Sequence, residues 1–107
     1  MATKVIIDPG TCGFPAIVVI KKKDRKTFSI SITSECEMVS KLDAEIGELS
    51  MMDAFKRIPD NPVFRKGAIC LRHVACPVLS GILKALEVEA GLNLPKDVSI
   101  KFVTSDE

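Results

Sequence analysis

The chain has 107 residues, 47% of them hydrophobic and 27% charged, with a formal net charge of +1; such a composition describes one soluble domain over residues 1–107 and excludes a second of ordinary size. At this length roughly two thirds of the unfolded surface is buried on folding, so the four cysteines are not required as staples. With 15 basic against 14 acidic residues there is no net pull toward phosphate backbones or anionic membranes, which excludes nucleic acid and membrane surfaces as partners recognised by bulk charge.

Thr3 to Ile7 is a β-branched run that stops at Asp8-Pro9-Gly10 and reads as a strand entering a turn. Ala16 to Lys22 is again β-branched, and after the polar break at Lys23-Asp24-Arg25 the residues Phe28, Ile30 and Ile32 alternate with Thr27, Ser29, Ser31 and Thr33. That period of two predicts a hairpin whose second strand has one wet face. Ser34-Glu35-Cys36-Glu37 fits a capping box, and Met38, Val39, Leu42, Ile46 and Leu49 recur at helical spacing behind it. Ser50 to Asp53 reads as a second N-cap, opening a short helix that Pro59 and Pro62 close, with a further turn over Val63 to Cys70. Cys76-Pro77 opens the clearest helix, whose stripe of Val78, Leu79, Ile82, Leu83, Leu86 and Ala90 ends at Gly91. Val98, Ile100 and Phe102 then alternate with Ser99, Lys101 and Val103, predicting a final strand. The expected fold is α+β, in the order β-β-β-α-α-α-β, a four-stranded mainly antiparallel sheet with helices packed on one face.

Met1 to Asp8 lacks the apolar stretch and cleavage site of a secretory signal, and the longest apolar run, Phe14 to Ile20, is far too short for a span. A cytoplasmic location is expected, where cysteines are more often buried thiols, metal ligands or redox groups than disulfides. Tracing the strands and helices up and down places Cys12, Cys36 and Cys76 at one end of the sheet. Cys12 lies on a glycine-containing loop, and the other two lie in the first turns of helices, where unpaired amides and the macrodipole favour thiolate. Cys70, His73 and Cys76 form C-x2-H-x2-C, close enough in sequence to join one site. The candidate metal set is Cys12, Cys36, Cys70 and Cys76 with His73 in reserve, although the spacing matches no standard zinc-finger or ferredoxin pattern. The plain alternative is that the thiols are small buried hydrophobes.

Other motifs lack parts. Lys21 to Lys26 is a basic hairpin tip with no interleaved aromatic, read as a solvated turn. Gly10 and Gly13 fit neither G-x-G-x-x-G nor the lysine-bearing P-loop, and no G-x-S-x-G elbow accompanies the one histidine.

Ser29 to Cys36 followed by a helix, and Cys70 to Pro77 followed by another, resemble TSCPD domains, small cysteine-bearing modules found alone or at the C-terminus of some ribonucleotide reductases. Val74-Ala75-Cys76-Pro77-Val78 stands where that family carries Thr-Ser-Cys-Pro-Asp. The whole chain also resembles a family of small uncharacterised proteins of anaerobic bacteria and archaea, at Cys12-Gly13-Phe14, Cys36 to Val39 and His73 to Val78. The resemblance implies a metal-binding module, with Cys36, Cys70 and Cys76 carried over.

Three functions are thus in play. The first is a metal-binding protein holding zinc or an iron–sulfur cluster through Cys12, Cys36 and Cys76, completed by Cys70 or His73. A metal-free interaction domain, such as a homodimer formed through an exposed sheet edge, is the second. The third is thiol redox or transfer chemistry at Cys36 or Cys76.

Overall fold

The computed structural model describes residues 2–106. Strands β1 (Thr3–Ile7), β2 (Ala16–Lys22), β3 (Thr27–Ser34) and β4 (Glu48–Ser50) form a sheet in the order β1-β2-β3-β4 with every neighbouring pair antiparallel. Helix α1 (Glu37–Ile46) follows β3, and after β4 come two short 3-10 turns, Met51–Ala54 and Ile58–Asp60, then α2 (Pro62–Cys70) and α3 (Val78–Glu89). The α+β class and the antiparallel four-stranded sheet agree with the sequence reading.

One face of the sheet is the core. The registers Val5↔Val18, Ile7↔Ala16, Val18↔Ile32 and Ile20↔Ile30 align the apolar positions of β1, β2 and β3 on the same side. There α3 packs on β1 and β2, α1 packs on β3, and α2 touches both helices. Phe28, Ile20, Leu42, Ile82 and Leu86 are wholly buried between the layers. The other face carries Lys4, Ile6, Ile17, Val19, Lys21, Ser29, Ser31 and Thr33, the out-pointing half of the alternation. α3 crosses β1 very closely because it does so at Gly81: a Cβ there would collide with the Ile7 side chain.

Two expectations are corrected. Leu49 belongs to β4 rather than to the helix before it. Gly47, at φ 63, reverses the chain directly after α1, so Leu49 pairs with Phe28 and is buried from the strand side. β4 is only three residues long, yet the outer side of β3 is not left bare. The Ile30 amide donates to the Gly47 carbonyl at 3.0 Å and the Ile32 amide to Asp43 Oδ1 at 2.7 Å, continuing the ladder without a strand.

The second correction concerns Val98 to Val103, expected as the last strand. Residues 91–106 form neither helix nor strand, and Val98, Ile100, Phe102 and Val103 are exposed. Alternation states which face is apolar, but a strand also needs a neighbouring edge. Here the fourth strand is β4 instead. Among the described residues no helix is long and apolar enough to cross a membrane.

Candidate functional site

The β1–β2 connection is shaped by its backbone. Asp8 Oδ1 accepts the Gly10 amide at 2.9 Å, the Gly13 amide donates to the Gly10 carbonyl at 3.0 Å, and both glycines have positive φ. Such a turn suits glycine at its ends, and it carries Cys12 outward, exposed to solvent.

Cys36 is the N-cap of α1, with its carbonyl accepting the Ser40 amide at 2.9 Å. Ser34, expected as that cap, is still the last residue of β3; its hydroxyl accepts the Cys36 amide at 3.1 Å instead. The half-buried Cys36 side chain therefore stands beside the first turn of α1. Cys76 comes just before Pro77, the N-cap of α3. Its amide donates to the His73 carbonyl at 3.4 Å, closing a turn over residues 73–76. That connection is tied to α1 where the Arg72 amide meets the Met38 sulfur at 3.4 Å.

These segments meet around a pocket of about 260 Å3. Cys12, Cys36, Cys76 and His73 all line it, having come from three separate stretches of the chain. Phe14, Met38, Val39, Leu71 and Val78 supply much of its wall, and no carboxylate or cationic side chain is among the described residues around it. The walls are apolar and the polar chemistry is concentrated in sulfur and one imidazole. Cys70, at the C-terminal end of α2, does not line the pocket; it is half-buried and packs against the core. All four cysteines are free thiols.

The donors fit a soft metal by chemistry, since thiolate and imidazole suit zinc, and thiolate suits iron–sulfur clusters. Their positions do not fit one in this arrangement. Among the described residues no group of three or more His, Cys, Asp or Glu side chains is placed to hold a metal ion. The thiols thus share a pocket without sharing a coordination sphere.

Phe14, Met38 and Leu71 were not read as site residues in the sequence, although Phe14 and Met38 lie in the segments that carry the family resemblance. Phe14 and Met38 each lie two residues from a pocket cysteine, and Leu71 lies two before His73. That adjacency, with the resemblance at Cys12 to Phe14 and Cys36 to Val39, is the signal they give. No curated protein and no solved structure matches the chain. A family of unknown function, DUF6951, matches over residues 3–102, which includes the β1–β2 turn, both helix starts and the connection bearing His73. With the match running through every segment that builds the pocket, the chain belongs to the DUF6951 family.

Proposed function

We propose that the protein acts through its thiol-lined pocket as a soft-metal binding module, taking zinc or an iron–sulfur cluster on Cys12, Cys36 and Cys76 with His73 beside them. The observation that carries this reading is the meeting of three cysteines and the sole histidine at one pocket, from positions 24 to 64 residues apart among the cysteines themselves. The resemblance to TSCPD domains around Cys36 and Cys76 points the same way. Since the side chains are not arranged as a ligand group, capture requires the Cys12 turn and the connection over residues 71–77 to draw together. Both are irregular segments outside helices and strands. A bound zinc would supply a structural clip or a Lewis acid, and a cluster would supply electron transfer. Cys70 lies outside the set.

Elemental analysis and a visible absorption spectrum of protein purified without oxygen or chelator test the reading. One metal or cluster per chain, lost in Cys76→Ser and kept in Cys70→Ser, is the expected result. Metal-free protein, or content unchanged in Cys76→Ser, overturns it.

A second reading is thiol exchange, favoured by the exposure of Cys12 at a pocket whose cysteines are free thiols. Under it, metal-free protein incubated with a small disulfide forms a mixed disulfide at Cys12 or a neighbouring pocket thiol, located by peptide mass. Absence of any adduct on native protein removes this reading.

A further inference from the structure

We propose that residues 98 to 103 act as a strand for a second copy of the chain: the segment of each protomer adds to the free edge of β1 in the other, making a reciprocal dimer. The segment has the composition and alternation of a strand but no strand partner. Val98, Ile100 and Phe102 are 66, 83 and 101% exposed, and Val103 beside them is 84% exposed. Apolar side chains in a continuous exposed run mark an interaction surface more often than a solvent-facing tail. The family match runs through residue 102, so nearly all of the segment lies within the matched region.

The sheet offers one open edge of useful length. On the far side, β4 and the bonds from Gly47 and Asp43 already engage the outer amides of β3 at Ile30 and Ile32. β1 has five residues and pairs only with β2, leaving the outward backbone groups of its other side as a template for pairing. Side chains suited to a neighbour are also in place. Ile6 is 67% exposed on the open face, Val5 is half-buried on the helix face, and the half-buried Val88 of α3 lies near Val98 at a second surface depression.

The direction of pairing favours a second copy over the segment's own chain. Glu89 at the end of α3 accepts the Thr3 hydroxyl at 2.6 Å, so the chain leaves α3 beside the beginning of β1, and Val98 still lies near Val88 of that helix. Laid back along its own β1 it would run parallel, in a sheet whose other pairs are all antiparallel. The segment of a second copy, related by a two-fold axis, can enter antiparallel, and the same contact is then made twice. Phe102 alone brings an area of about 150–250 Å2. With Val98, Ile100, Val103 and the covered edge counted in both copies, the total reaches the roughly 1,200–2,000 Å2 that specific interfaces bury.

Sedimentation equilibrium of the full chain under reducing conditions, with hydrogen exchange across β1, tests this. The expected mass is twice the 11.6 kDa of the chain, with slow exchange at the outward amides of β1. The double variant Ile100→Asp/Phe102→Asp changes only exposed positions; it is expected to keep its far-UV circular dichroism, halve the mass and release those amides. A monomeric full chain overturns the proposal. So does a dimer that survives the double substitution, and so do protected β1 amides in a monomer, which would mean pairing within one chain.

Discussion

Asn61→Ala is expected to be among the costliest single changes to an uncharged side chain in this protein. Asn61 is 2% exposed and bonded at both ends of its amide. Its Oδ1 accepts the Val63 amide at 3.0 Å, capping α2, while its Nδ2 donates to the Asp53 carbonyl at 2.7 Å and the Lys56 carbonyl at 3.2 Å. One side chain thus closes the loop between the first 3-10 turn and α2. Losing an N-cap costs about 0.5–2 kcal/mol, and stranding buried backbone groups costs about 1–3 kcal/mol. Since the Lys56 bond is only partly buried, a total of roughly 2–4 kcal/mol is expected. At about 4–8 °C per kcal/mol for a domain near this size, the melting temperature falls by roughly 8–30 °C. Urea titration followed by far-UV circular dichroism measures the loss, with an unchanged slope as the check that only stability moved. Asn61→Ser retains an acceptor for the Val63 amide and should recover about 1 kcal/mol of it. A loss below about 1 kcal/mol in the alanine variant would refute the assignment of Asn61 as the clip.

Gly81→Ala gains up to about 1 kcal/mol of helix propensity but overpacks α3 against Ile7 at a cost of about 1–3 kcal/mol. Net destabilisation is expected, relieved in part by a second change, Ile7→Val; a more stable single variant would show slack between α3 and β1. Iodoacetamide on the native protein should label the exposed Cys12 before the half-buried Cys36, Cys70 and Cys76, and earlier labelling of Cys70 contradicts the placement of that residue. Asp24 accepts the Lys26 and Thr27 amides at 3.0 Å each, which hold its carboxyl below the ordinary 3.8. A lowered folded-state value means that this turn contributes stability above pH 3.8 and loses it as the pH falls through the lower folded value. The Lys26 and Thr27 amide resonances should therefore titrate below 3.8, and a midpoint at or above it contradicts the bonding.

The first three strands were legible because each has local punctuation. Asp8-Pro9-Gly10 ends one, Lys23 to Arg25 separates the next two, and the Thr27–Ser34 alternation shows its buried side directly. The start of α2 carries a mark of its own in Asn61-Pro62, an N-cap followed by proline at the first helical position, but the sequence reading took Pro62 as the close of the preceding short helix, because proline punctuates both ends. β4 was not legible. Three residues contain too little period to separate strand from helix, and Leu49 fits both the stripe of α1 and the ladder beside Phe28. The positive φ at Gly47 decides between them, and that is a property of the folded backbone. At the pocket, Cys12, Cys36 and Cys76 could be placed at one end of the sheet from chain direction alone. Cys70 could not be separated from them, because six residues of sequence allow either one site or two surroundings. The difference lies in where α2 stops: Cys70 is its last residue and packs inward, while His73 and Cys76 sit on the connection beyond it.

The carboxylate of Glu89 accepts both the Thr3 hydroxyl and the Lys22 amide, at 2.6 and 3.2 Å. The first strand and the last helix therefore meet at the end of the sheet opposite the cysteine pocket. A permuted chain that leaves out residues 90–107, with a short linker joining Glu89 to Thr3 and new ends opened in the exposed Lys23 to Lys26 turn, would keep every segment that builds the pocket while lacking the segment proposed to pair with a second copy. The thiol-bearing end is thus separable by chain engineering from the end where the chain closes on itself.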